Sequence, residues 1–140
     1  MIDIYTDFIS LQTKGNTHII DITSEIESIL KKSGFTEGQV TVFSIGSTGG
    51  ISTIEYEPGL LQDIPEFFDK ILPEGRYHHD MTWHDGNGHS HMRSFLLKTQ
   101  LTIPFKDGEL LLGTWQQVIF IDFDIRPRNR RIVVQIIGKK

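Results

Sequence analysis

Residues 100 to 138 are almost unbroken strand material: "QLTIPF", the turn "KDG", "ELLLG", "QQVIFIDFD" and "RRIVVQIIG". Runs rich in Val, Ile, Leu and Phe, bounded by turn residues, form strands because branched and aromatic side chains suit a half-buried pleated surface. A chain with this C-terminal third must supply a sheet with a buried face. Its order of elements predicts a β meander with a hairpin at "KDG".

The first hundred residues add strands and helices in alternation. "IDIYTDFISLQT" has a rough period of two and reads as a strand, Gly15-Asn16 as a turn, and "THIID" as its returning hairpin partner. Ile22, Ile26, Ile29 and Leu30 then fall at helical spacing. Ser24 with Glu27 has capping-box spacing, Asp21 or Thr23 being the alternative caps, and Gly34 sits where a C-terminal cap belongs. "GQVTVFSIG" and "ISTIEY" are two further strands. Pro58 suits the first turn of a second helix with a broad apolar face from Leu60 to Leu72, in which Pro65 shifts the start or introduces a kink. "HSHMRSFLLK" reads as a short helix. Two or three helices among about eight strands predict an α+β fold with a largely antiparallel sheet, in one domain spanning residues 1–140.

The chain contains no cysteine. Disulfides, thiolate ligands and a cysteine nucleophile are therefore excluded, and any metal must take nitrogen and oxygen ligands. The formal charge of −4 argues against a general nucleic-acid binder. No stretch approaches the roughly 18 continuous apolar residues of a membrane span, and the first residues lack a basic-then-apolar leader. The expectation is a cytoplasmic protein without a membrane or nucleic-acid partner.

The most unusual polar stretch is "WHDGNGHSH", residues 83–91, with His78 and His79 just upstream. His79, His84, His89 and His91 with Asp80 and Asp85 supply ligand types for a metal, although the spacing matches no recognised zinc signature. On a helix His89 and His91 diverge by about 200°. The same loop could bind an anion: "DGNG" precedes a helix start, Arg93 follows one turn later, and His84 and His89 would form a solvated rim. A wet surface loop is the plain alternative.

Three other stretches compete with structural explanations. In "LLLGTWQQVIF", Gly113 admits close approach of a ligand while Thr114, Trp115 and Gln116 offer a hydroxyl, an indole and an amide, or else form a β-bulge around a core tryptophan. Ser47 and Thr48 in "GSTGG" suit a phosphate-binding nest but not a P-loop, whose Gly-Lys-Ser/Thr ending is missing. Glu55 and Glu57 share a strand face, as base, ligand or solvated edge. "DIRPRNRR" is either a solvated hairpin end or a partner for acidic residues of a neighbouring subunit or for substrate phosphates.

"DGNGHSHMRSFLL", "LTIPFKDGELLLGTWQQVIFIDFD" and "RPRNRRIVVQIIG" resemble the YjbQ family of small proteins, members of which are often named secondary thiamine-phosphate synthase enzymes. The likeness runs through nearly the whole chain. It implies an α+β domain whose sheet forms a half-barrel or a sandwich, assembling as a homotrimer with a pocket near the subunit boundaries. The family's characteristic residues fall on Asp85, Gly86, Asn87 and His91 and on Gly113, Thr114, Trp115 and Gln116, with His79 matching an upstream histidine. Many members carry a histidine before their Thr-rich turn, where this chain has Ser47-Thr48, and His89 is the candidate replacement.

The resemblance implies joining of a pyrimidine diphosphate to a thiazole phosphate with release of pyrophosphate. On that expectation His79, Asp85, Asn87 and His91 are catalytic. Ser47, Thr48, Arg93, Gly113, Thr114, Trp115 and Gln116 bind substrate or phosphate, with Trp115 stacking on the pyrimidine. A divalent metal, Mg or Zn, draws on His79, His89, His91 and Glu55. The alternatives are a metal-dependent hydrolase of small phosphorylated molecules and a non-catalytic trimeric binder.

Overall fold

The continuous apolar run at residues 118–121 is covered on both sides, which is why it lacks the usual polar alternation. The computed structural model describes residues 1–140. Its elements are β1 (Asp3–Thr13), β2 (His18–Asp21), α1 (Thr23–Ser33), β3 (Glu37–Ser44), β4 (Gly49–Ile54), α2 (Pro58–Ile71), α3 (His78–Trp83), α4 (Gly88–Leu97), β5 (Gln100–Lys106), β6 (Glu109–Leu110), β7 (Gln117–Asp122) and β8 (Arg128–Lys139). One sheet has the order β1-β8-β3-β5-β6 and the other the order β2-β7-β4. Every paired ladder is antiparallel. The α+β class and the half-barrel form expected from the sequence are observed.

On one face of β7, Val118 and Phe120 join the main core with Ile26, Ile29 and Leu30 of α1 and with Val40, Val42, Ile103, Phe105, Ile132, Val134 and Ile136 of the larger sheet. On the other, Ile119, Ile121 and Phe123 pack with Ile19 and with Phe68 of α2. Full burial of each such side chain is worth about 1.5–3 kcal/mol relative to exposure. The strand between the two cores is thus held rigidly, and its last residues inherit that rigidity.

Four local expectations are corrected. β1 and β2 do not form a hairpin: β1 pairs with β8 and β2 with β7. Gly15, Asn16 and Thr17 all have positive φ, and this left-handed run carries the chain from one sheet into the other. The late strands do not form a meander either, because β7 and β8 lie in different sheets. Only β5 and β6 make the expected hairpin, through Asp107-Gly108 at φ 54° and 75°, the positive-φ pair that matches strand twist. The Ser24–Glu27 capping box is absent. Asp21 Oδ1 instead accepts from the Thr23 N–H and hydroxyl at 3.0 and 2.7 Å. Finally there are four helices, since α3 forms in what reads as loop.

The remaining helix boundaries agree with the sequence. Gly34 takes the left-handed C-cap conformation at φ 72°. Pro58 opens α2, and Pro65 is accommodated within it.

Candidate functional site

Asp122 and Asp124 stand two apart at the end of β7, and each is almost fully buried. Carboxylates in an apolar strand require partners. Arg130 at the start of β8 donates Nε to Asp122 Oδ2 and Nη2 to Oδ1, both at 2.7 Å, and Nη2 also donates to Thr48 Oγ1 at 2.7 Å. The Thr13 hydroxyl donates to Asp122 Oδ2 at 2.5 Å. Thr48 in turn donates to Asp124 Oδ2 at 3.2 Å, Arg128 Nε to the same oxygen at 3.0 Å, and Asn87 Nδ2 to Asp124 Oδ1 at 3.3 Å. Burial pushes the Asp122 carboxyl up, but the Arg130 and Thr13 hydrogen bonds outweigh it and the net direction is down. Asp124 is likewise lowered on balance: burial raises it, while the Ile125 N–H, Asn87, Arg128 and Thr48 lower it.

This network ties four segments to one end of the smaller sheet. Among them is the loop that carries Asp85 and Asn87. Turned about its own bond, the Asn87 carboxamide donates to Asp85 at 3.0 and 3.2 Å instead of to Asp124. It therefore lies between the buried carboxylate and the exposed one.

Above the network, α3 and α4 meet closely. A Cβ on Gly88 would stand 2.5 Å from the Cβ of Tyr77, so glycine is required there. The Gly88 N–H donates to Asp80 Oδ1 at 2.9 Å. One donor expected to meet phosphate at this helix start is thus already taken by the chain's own carboxylate. His79 Nδ1 lies 3.6 Å from Asp80 Oδ1 and 3.4 Å from Asp85 Oδ1, and ligand atoms of these three residues fall within 4.8 Å of one another. Two donors each about 2.1 Å from a tetrahedral ion stand about 3.4 Å apart. His79 Nδ1 and Asp80 Oδ2 are also hidden from solvent without a hydrogen-bond partner. The donor set fits a divalent ion. Burial raises the Asp80 carboxyl, but the Gly88 N–H and His79 bring it below its ordinary value overall.

The His91 ring centre is 4.3 Å from that of His79. His91 also lines an open cavity of about 340 Å³ with Gly46, Ser47, Ser94, Phe95, Lys98 and Thr99. No carboxylate lines it. Burial lowers the His91 pKa, and neighbouring His79 lowers it further, so its neutral form is favoured near pH 7. The largest cavity, about 660 Å³, lies elsewhere, between α1 and the β6–β7 connection, and contains no histidine. Chemistry, not volume, singles out the smaller one.

The other expected site residues divide clearly. His79, Asp85, Asn87 and His91 come together, with Ser47 on the cavity wall and Thr48 buried behind it. Gly113, Thr114, Trp115, Gln116 and Glu55 do not join them in this chain. The β4–β7 register pairs Gly49 with Asp122 and Ile54 with Gln117, which puts Glu55 and the Gly-Thr-Trp-Gln turn at the opposite end of the smaller sheet, about 17 Å along the strand. Trp115 is 72% exposed rather than a core tryptophan. Gln116 bonds back to the Gly113 N–H at 3.0 Å and across to Thr53 at 3.0 Å.

Arg93 is buried and engaged: Nε donates to Leu72 O, Nη1 to Thr17 Oγ1 and Nη2 to Asp69 Oδ1, at 3.0, 3.1 and 3.1 Å. It fastens α4 to α2 and to the β1–β2 turn, so its availability for phosphate is corrected. His89 is buried beside Tyr77 and forms no solvated rim. Its side chain diverges from His91 as helical spacing requires, and it stands apart from the His79 cluster.

Asp122, Asp124 and Lys98 were not selected from sequence, and Arg130 only as one of the arginines of "DIRPRNRR". Two aspartates alternating with Ile121 and Phe123 are a readable signal, since a charge in an apolar strand demands a partner. Lys98 carried no signal, yet it adopts φ 79°, ψ 161° at the end of α4. That region is essentially restricted to glycine and costs other residues on the order of 1–3 kcal/mol.

A pH prediction follows from His89 and His91. Burial lowers both, with Arg93 adding to the effect at His89. Between these depressed values and the unfolded value near 6.5, the unfolded chain binds more protons, so stability rises with pH. The contribution is complete above about pH 6.5 and is lost as pH falls through the folded values. Urea midpoints should therefore drop between pH 7 and pH 5, and His89→Phe should flatten that slope. An unchanged slope would contradict a buried neutral His89.

Known proteins place this arrangement in a family. The family profile described as UPF0047 protein YjbQ-like matches residues 7–139. A UPF0047 protein of Methanothermobacter thermautotrophicus is 39% identical over 138 residues, covering 98% of this chain and 94% of that protein. The UPF0047 protein YugU of Bacillus subtilis is 31% identical over 132 residues, covering 93% of this chain and 97% of its own length. A crystal structure from Sulfolobus solfataricus P2, described as a YbjQ-like protein of unknown function, superposes with a TM-score of 0.94 at 31% identity over 99% of this chain and 100% of that one. With matching sequence, fold and length, the chain belongs to the YjbQ/UPF0047 family.

Proposed function

We propose that the protein is a cytoplasmic, homotrimeric transferase resembling thiamine-phosphate synthase, joining a pyrimidine diphosphate to a thiazole phosphate. The observation that carries this reading is the double position of His91. It contacts the His79–Asp80–Asp85 donor set on one side and lines an acid-free cavity on the other. A cation site beside an anion-tolerant cavity suits a leaving diphosphate.

In the reaction, the C–O bond between the pyrimidine's methylene carbon and its diphosphate breaks, and its electron pair leaves on pyrophosphate. The thiazole nitrogen's lone pair forms the new C–N bond to that carbon. A magnesium or zinc ion held by His79, Asp80 and Asp85 would supply positive charge against the departing pyrophosphate. Asn87, anchored by Asp124, steadies the Asp85 loop. Ser47 and His91 hydrogen-bond the phosphate oxygens, and neutral His91 accepts or returns a proton there.

Trimer formation supports stacking by Trp115 only if a neighbouring copy supplies it. Exposed apolar side chains occur at both places such a contact requires: Met92, Phe95 and Leu96 at 41%, 69% and 50% near the cavity, and Leu111 and Trp115 at 58% and 72% at the far end. Head-to-tail pairing of unlike patches closes a ring when the rotation permits.

The second reading is a metal-dependent hydrolase, favoured by the His/Asp donor set. Purified protein incubated with both phosphorylated precursors and a divalent metal should release pyrophosphate only when both are present. Release from one precursor alone selects the hydrolase. No product at any metal concentration, with folded trimer, removes both readings and leaves a non-catalytic binder.

A further inference from the structure

We propose that Lys98 is the specificity-determining cation that holds a phosphate group in the cavity beside His91. This deepens the function proposed above and rests on it. The backbone at Lys98 is fastened on both sides: its N–H donates to Ser94 O at 2.9 Å, and its carbonyl accepts from the Ile51 N–H at 3.1 Å. Between those bonds the residue holds φ 79°, ψ 161°, a conformation that glycine adopts without penalty and lysine does not. Lysine stands there nonetheless, and strain of this kind concentrates at ligand clamps.

What the side chain gains is visible from its surroundings. Lys98 lines the cavity with Ser47, His91, Ser94 and Thr99. Its ammonium lies 5.3 Å from the centre of the Phe95 ring and takes part in none of the molecule's ion pairs. In a chain of net charge −4, this is a wall with an unpaired cation, hydroxyls, an imidazole and no carboxylate. An oxyanion fits that chemistry: the ammonium is a mobile donor to phosphate oxygens, and the Ser47 and Thr99 hydroxyls complete the shell, the Ser94 hydroxyl being engaged by the Gly49 carbonyl.

Strain and binding make opposite demands on this residue, which gives a test with opposite signs. Lys98→Gly relieves the backbone and removes the cation, whereas Lys98→Gln removes the cation alone. Calorimetric titration with inorganic pyrophosphate in magnesium buffer, alongside thermal melts, reads both effects. Lys98→Gly should melt a few degrees above the parent and bind pyrophosphate at least tenfold more weakly. Lys98→Gln should melt near the parent and bind equally weakly, and both should lose part of the salt dependence. If both variants bind like the parent while His91→Ala is weakened, the role of Lys98 is overturned and the cavity reading stands. If the parent itself does not bind pyrophosphate, the cavity reading fails and Lys98 with it. A Lys98→Gly melt at or below the parent's overturns the strain argument.

Discussion

Asp122→Ala should destabilise the protein by about 3–5 kcal/mol, the cost of leaving a buried arginine without its carboxylate. The Asp122–Arg130 contact is bidentate, and Asp122 is fully enclosed. Removing the carboxylate leaves the Arg130 guanidinium, which is 9% exposed, with only the more distant carboxylate of Asp124 at 4.0 Å, and breaks the Thr13 bond. The melting temperature should fall by roughly 10 °C or more. Replacing both partners with apolar residues of similar volume should restore much of the loss, because uncompensated charge, not missing attraction, dominates the single variant. A loss below about 1 kcal/mol in urea titrations would mean that the pair is solvated.

The same pair sets the acid limit. The folded-state pKa of Asp122 is depressed, so its contribution is present above the unfolded value near 3.8 and disappears as pH falls through the lower folded value. Acid unfolding of the parent should steepen below about pH 4, and Asp122→Ala should lack that component.

His91→Ala should lower the transfer rate by about 100-fold or more, the usual scale for removing a positioned proton-transfer group. Pyrophosphate affinity should also weaken, while divalent-metal affinity changes little, because the His79, Asp80 and Asp85 donors remain. His79→Ala should give the reverse pattern, losing metal first. His84→Ala, exposed at the end of α3, should match the parent in every measurement. Equal loss of metal from both His79→Ala and His91→Ala would make His91 a ligand and merge the two subsites. Equal activity in His91→Ala and the parent would remove the catalytic reading of this cavity.

Much of the candidate site was readable because its residues are close in the chain. His79, Asp85, Asn87 and His91 span thirteen positions, and the α3–α4 contact needs only Gly88 to let the segments approach. Asp80 was visible as a possible ligand but not distinguishable from a carboxylate on a wet surface loop; in the fold its Oδ1 accepts from the Gly88 N–H. Asp122 and Asp124 are charges in an apolar strand, and Arg130 is one arginine of a polar hairpin end. Their meeting with Thr48 and Thr13 depends on three strand registers, each set by pairing over long sequence separation. Trp115 illustrates the opposite error. A tryptophan between two strands suggests core, but the turn projects beyond the end of β7 and leaves it in solvent.

Local chemistry alone determined that strands β5, β7 and β8 lie within residues 100–139, that Gly34 ends the first helix, that Pro58 begins the second, and that any ligand set must be nitrogen and oxygen. These follow from backbone preference and composition, which act over a few residues. Tertiary structure alone decided that neighbouring strands part into different sheets, that Arg93 and His89 are interior, and that Lys98 is held in a glycine conformation. Those outcomes depend on which distant surfaces bury one another. The free energy of such burial overrides local preference, and no short window of residues encodes it.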